Sequence, residues 1–146
     1  MESPSDPATE TAPLLRVVLA DDHPAMLALA TAALAGICTV VGTAVDGLAL
    51  LATVEQLRPA LAVLDITMPQ LSGLEAARQL HLSHPEIRLV FLTVHDDADY
   101  ARAAFAAGAL GYVVKSRLAS DLLPALHAAL AGRGFVSPGV GLEEFP

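Results

Sequence analysis

Cysteine occurs once, at Cys38, which excludes an internal disulfide and any zinc site built from several cysteines. Lysine is equally scarce. Lys115 is the only one, and every other basic side chain is arginine. The 8 basic residues stand against 16 Asp and Glu, a formal charge of −8, so the chain itself offers no clustered cationic surface for duplex DNA. Apolar runs are broken by charge, Gly or Pro well before the roughly 20 residues a membrane span requires. Glu2, Asp6 and Glu10 among three early prolines leave no basic start or apolar stretch of a secretory signal. The five histidines are scattered, without His-x3-His or Cys-x2-Cys spacing, and no internal repeat is visible. These absences describe an acidic domain expected in the cytoplasm.

What is present is a core. The 146 residues are 54% hydrophobic, enough for one domain around one apolar interior. Residues 1–14 read as a flexible leader, 15–132 as the domain, and 133–146 as a linker or C-terminal tail. Within the domain, short aliphatic runs alternate with longer helical patterns. Arg16–Ala20, Thr39–Ala44, Leu61–Leu64, Leu89–Thr93 and Leu110–Val114 are too short for stable helices and lack polar alternation. That is the pattern of parallel strands covered on both faces. Pro24–Ala35, Gly47–Leu57, Gly73–Leu82, Ala98–Ala107 and Leu118–Ala131 read as the crossover helices. Five strand–helix repeats predict an open α/β sheet with helices on both faces.

In such sheets ligands bind at the carboxyl ends of the strands. The residues there are Asp21 and Asp22, Asp65, Thr93 and Lys115. Three carboxylates held close together in a cleft repel, and a hard divalent cation with oxygen ligands, Mg²⁺ first, is the simplest neutraliser. Lys115 keeps a compact point charge where the composition otherwise selects the planar Arg fork. Thr93 adds a hydroxyl donor. These are parts for phosphoryl transfer onto Asp65, with the carboxylate as nucleophile. Taken alone, the Asp21–Asp22 pair is equally readable as a helix N-cap. Thr93 alone would be an ordinary strand residue, and Tyr112 a half-buried aromatic.

The residues VLADDHP (18–24), VLDITMPQLSGLEAAR (63–78), LTVHDDADY (92–100) and AAGALGYVVKS (106–116) resemble a response-regulator receiver domain of two-component signalling. The closest branch is the NarL/FixJ-like one, whose members usually carry a LuxR-type helix-turn-helix. The resemblance implies a flavodoxin-like (βα)5 three-layer sandwich with strand order 2-1-3-4-5. It implies that Asp65 accepts phosphate from a histidine kinase, with slow autophosphatase activity rather than metabolic catalysis. It implies that Asp22 and Asp65 bind Mg²⁺ directly, Asp21 through a metal-bound water, and Thr67 through its backbone carbonyl. Thr93 and Tyr112 would be the switch pair, remodelling the face of the fourth helix, fifth strand and fifth helix, where a homodimer could form. A cis bond between Lys115 and Ser116 is also implied.

Two features depart from that pattern. Val94 stands where relatives usually have a smaller residue, and no helix-turn-helix follows the last helix, so DNA would be reached only through an output domain absent from this chain. Two rivals remain open. One is a degenerate, phosphate-independent receiver serving as a dimerisation module. The other is a phosphohydrolase working through an aspartyl phosphate, although Thr67 replaces the second Asp such an enzyme would place there.

Overall fold

Runs dense in Val and Leu favour a pleated backbone on which branched side chains pack. In the computed structural model, which describes residues 14–142, five of them form strands: β1 (Leu15–Ala20), β2 (Cys38–Ala44), β3 (Leu61–Leu64), β4 (Arg88–Thr93) and β5 (Gly111–Val114). The helices between and after them are α1 (Pro24–Leu34), α2 (Gly47–Leu57), α3 (Gly73–Ser83), α4 (Ala98–Ala106) and α5 (Leu118–Leu130). Every boundary falls within one residue of its expected place. The leader expected over 1–14 lies outside the described residues, apart from Leu14, as do positions 143–146 of the expected tail.

Local chemistry explains where the helices start. Asp46, Ser72 and Asp97 accept the backbone N–H of Ala49, Glu75 and Tyr100 at 2.7, 3.2 and 3.0 Å, capping α2, α3 and α4. Pro24 opens α1, where its missing N–H costs nothing. Gly108, at φ 109°, turns the chain out of α4.

The sheet is all parallel, in the order β2-β1-β3-β4-β5-β6, where β6 is a short sixth strand, Phe135–Val136. Alternate residues serve opposite layers. Val17 and Leu19 of β1 meet Leu34 of α1 and Leu122 and Leu126 of α5, while Val18 and Ala20 share a core with Leu50, Ala76, Leu80 and Ala104 of α2, α3 and α4. The flavodoxin-like three-layer sandwich is therefore present. Cys38 is a buried strand residue, its thiol pushed up by burial. No described helix is long and apolar enough to cross a membrane.

The sixth strand, β6 (Phe135–Val136), stands within the segment expected as linker or tail. Phe135 and Ser137 donate their N–H groups to the carbonyls of Leu110 and Tyr112, both at 2.9 Å. Two residues carry no periodicity, and the surrounding glycines and Pro138 masked them. They pair because the outer edge of β5 offers a ready ladder of unpaired backbone groups.

The topology places the carboxyl ends of β1, β3, β4 and β5 along one edge. The ladder extends past the strands there: Asp21 N–H donates to Ala44 O at 3.0 Å and Asp65 N–H to Ala20 O at 3.1 Å. Both acidic backbones are thus held by neighbouring strands. Behind Asp65, Gly73 N–H donates to Ile66 O at 2.6 Å, and a Cβ at Gly73 would collide with the Asp65 carbonyl. Gly73→Ala is therefore expected to cost roughly 1–3 kcal/mol, as overpacking does. The check is the urea midpoint of unfolding, and an unchanged midpoint would show that this approach tolerates a methyl group.

Candidate functional site

Asp21 and Asp65 are 4% exposed, and the ammonium of Lys115 sits between them. Its Nζ lies 2.7 Å from Asp21 Oδ2 and 2.9 Å from Asp65 Oδ2. The second Asp65 oxygen, Oδ1, accepts the N–H of Ile66 at 2.7 Å. Asp21, Asp65 and Lys115, the last two 50 positions apart along the chain, are thus brought into one ion-paired cluster, as the strand-end argument expected for these three. Burial opposes the charge on Lys115, but its hydrogen bonds to Asp21 and Asp65 and their negative charge outweigh that, and its pKa is raised.

The helix-cap alternative for Asp21 and Asp22 fails. The residue before α1 is His23, which makes no side-chain cap, and Asp21 Oδ1 instead accepts the His23 backbone N–H at 2.9 Å. Asp22 is half-buried, and its Oδ1 is a buried oxygen without a hydrogen bond among the described residues. His23 Nδ1 lies 3.1 Å from that atom and equally far from Asp21 Oδ1, but only the latter pair has hydrogen-bond geometry.

This orphaned oxygen is the observation that tests a metal. Asp21, Asp22, Asp65 and Lys115 together carry three carboxylates against one ammonium, leaving two negative charges for a divalent cation to balance. The residues whose ligand atoms cluster within 4.8 Å of one another are Asp21, Asp22 and His23. Asp65 already has partners on both oxygens, and His23, one of the scattered histidines, stands in the acidic group. The oxygens of Asp21 and Asp22 suit Mg²⁺, a hard ion, better than an imidazole does.

Thr93 is fully buried at the end of β4, in register with Val114, the residue before Lys115. Its Oγ1 accepts the His95 N–H at 3.4 Å, a long bond, and among the described residues no hydrogen bond joins it to Asp65. Tyr112 is fully buried rather than half-buried, its ring 6.4 Å from those of both Phe91 and Phe105. Its hydroxyl donates to the carbonyl of His95 at 2.8 Å. His95 therefore links the two switch candidates through its own backbone. Its ring stacks on Tyr100 with centroids 4.1 Å apart, and Nε2 lies 2.9 Å from Thr67 Oγ1. The sequence reading missed this residue, because a lone histidine carries no spacing signal; its position two past Thr93 was the one available clue.

Val94 is exposed. The Lys115–Ser116 bond, expected cis, is trans like every other described peptide bond, which is the cheaper form by about 2.5–4 kcal/mol. A short 3₁₀ turn, Lys115–Arg117, follows it.

Comparisons with known proteins show the family to which this fold and sequence belong. The family described as "Response regulator receiver domain" matches residues 17–127. The response regulator GacA of Pseudomonas protegens is 34% identical over 132 residues, covering 89% of this chain and 62% of that protein. The crystal structure of a LuxR-family two-component response regulator from Aurantimonas sp. SI85-9A1 superposes with a TM-score of 0.81 at 33% identity, covering 86% of this chain and 91% of that one. The isolated receiver domain of RcsB from Salmonella enterica serovar Typhimurium, solved with the phosphomimetic BeF₃⁻, gives a TM-score of 0.80 at 26% identity, covering 87% of this chain and 96% of that one. The chain thus spans about three-fifths of the length of the curated relative GacA.

The buried pair of Lys115 and Tyr112 has a consequence at high pH. Burial, reinforced by the negative charge of Asp97 and Asp65, pushes the Tyr112 phenol far above its ordinary value. Both groups hold protons in the folded protein that the unfolded chain releases earlier. Their stabilisation is complete below about pH 10, where the unfolded groups also stay protonated, and is lost as pH climbs through the raised folded values. The thermal unfolding temperature should therefore hold to about pH 9.5 and fall above about pH 10, less steeply in Tyr112→Phe. A wild-type profile flat to about pH 11 would contradict this assignment.

Proposed function

The chain belongs to the response regulator receiver domain family, and on that premise we propose that it is a phosphoacceptor switch in which Asp65 takes a phosphoryl group from a histidine kinase. The observation that carries this reading is the Lys115 ammonium bridging Asp21 and Asp65 at the carboxyl edge of the central strands. A carboxylate oxygen of Asp65 is the nucleophile toward phosphorus. Lys115 orients that carboxylate before transfer and afterwards meets the negative charge of the phosphoryl oxygens as a point donor. A bound Mg²⁺, held by Asp22, Asp65, the carbonyl of Thr67 and, through water, Asp21, would supply further charge neutralisation at those oxygens.

The switch follows from the bonding around His95. In the structure Thr93 Oγ1 is engaged by the His95 N–H and the Tyr112 hydroxyl by the His95 carbonyl. A phosphoryl group on Asp65 offers the Thr93 hydroxyl charged acceptors to which it can donate its proton. Thr93 turning toward them releases one side of His95, and Tyr112 on its other side responds. The equilibrium between the two arrangements is what phosphorylation biases. The face built by α4, β5 and α5 carries the change, and a second copy of this chain is its proposed partner there. DNA is reached through a separate output domain, a reading supported by the likeness to the response regulator RcsB solved in complex with DNA, of which this chain covers 65%. Slow autophosphatase activity accompanies the same pocket.

Incubation with acetyl phosphate or phosphoramidate and Mg²⁺, read by intact mass, tests this. One phosphoryl adduct per chain is expected, absent in Asp65→Asn. Steady turnover of varied phosphoesters would favour the phosphohydrolase, and no reaction the degenerate dimerisation module. The exposed Val94 supplies a finer expectation: its branches narrow access to Asp65, so Val94→Ala should speed both adduct formation and its loss. Equal rates in the two proteins would remove that role.

A further inference from the structure

Outside the acidic pocket, two buried polar side chains stand together, Asp121 at 5% exposure and Ser137 at 1%. Ser137 lies beyond the span matched by the family, which ends at residue 127. Its Oγ donates to Asp121 Oδ2 at 2.7 Å and accepts the backbone N–H of Val114 at 3.1 Å. Its own N–H donates to the carbonyl of Tyr112 at 2.9 Å. One residue after β6 is therefore tied to Tyr112 and to the residue immediately before Lys115.

Asp121 anchors the other end of the same turn. Arg117 Nε lies 2.7 Å from its Oδ2 and Arg117 Nη2 3.3 Å from its Oδ1, while Ser120 Oγ donates to Oδ1 at 2.9 Å. Burial pushes the Asp121 carboxyl up, but the hydrogen bonds from Arg117, Ser137 and Ser120 outweigh it and hold it below the ordinary carboxylate value. The Lys115–Arg117 turn is thus pinned on both sides, at Val114 by Ser137 and at Arg117 by Asp121. The demand on that turn is strict. Lys115 reaches Asp21 and Asp65 at once, at 2.7 and 2.9 Å, so the position of its backbone limits which side-chain conformers can make both contacts.

We propose that Ser137, held by Asp121, is a positioning residue for Lys115, so that the segment after α5 completes the phosphoacceptor pocket. This rests on the reading of Asp65 as phosphoacceptor. Only a small hydroxyl serves at position 137, because one atom must donate to a carboxylate and accept a buried N–H. Alanine strands the Val114 N–H without a partner, whereas threonine retains a hydroxyl that can both donate to Asp121 and accept from Val114.

The single lysine makes the test direct. Lysine isotope-labelled at Cε gives one side-chain NMR signal from the full chain, and that signal is Lys115. Ser137→Ala should move this signal and slow adduct formation from acetyl phosphate with Mg²⁺ by about ten-fold, within what small misplacements of a reacting group cost. Ser137→Thr should restore both. If Ser137→Ala is folded by circular dichroism and keeps the wild-type lysine signal and rate, the proposal is wrong, even where its unfolding midpoint falls. Should Ser137→Ala fail to fold, Asp121→Asn, which keeps the shape of the anchor, carries the same comparison. A wild-type protein that takes no adduct overturns the phosphoacceptor reading instead, and the lysine signal then decides the positioning claim alone.

Discussion

The site depends on one charge placed among three opposite ones. Asp21, Asp22 and Asp65 sit at the ends of neighbouring strands, and without a cation close by their mutual repulsion would oppose the packing that brings those strands together. The Lys115 ammonium between Asp21 and Asp65 offsets part of that repulsion. It does so incompletely. The residual double negative charge, and the buried Asp22 oxygen that has no hydrogen bond among the described residues, make the pocket receptive to a hard cation.

The second constraint is connectivity. Thr93, His95 and Tyr112 form a short chain of hydrogen bonds running from the end of β4 to the interior of β5. Ser137 joins that strand again from its outer side, through the carbonyl of Tyr112 and the N–H of Val114. β5 is therefore read from both edges, by β4 and by β6. In a close-packed interior such contacts have discrete alternatives rather than continuous play, which is the physical basis on which the proposed switch would route a change at Asp65 through β5.

Much of this was legible in the chain. Strand and helix limits followed from run length and from Asp, Ser, Pro and Gly placed at the ends, where their effects are local. Asp65, Lys115 and Asp21 were legible because strand ends in a parallel sheet share an edge, so position along the chain converts to position in space. Phe135–Val136 was not, since a two-residue strand exists only through the edge it joins. His95, Asp121 and Ser137 were equally opaque. His95 works through its own backbone toward Tyr112, Ser137 through backbone groups of Tyr112 and Val114, and Asp121 through the side chain of Ser137, and a side chain's identity says nothing about which of these groups the fold brings beside it.

The sequence by itself determined the α/β class, the alternation of elements and the acidic and hydroxyl residues at the strand ends, because periodicity and end-capping act over a few residues. The tertiary structure alone decided that Asp21 and Asp22 do not cap a helix, that Tyr112 is wholly enclosed and that the segment after α5 grips the turn carrying Lys115. Those outcomes turn on distances between atoms far apart along the chain, which only the closed sheet and its packed helices bring within hydrogen-bond reach.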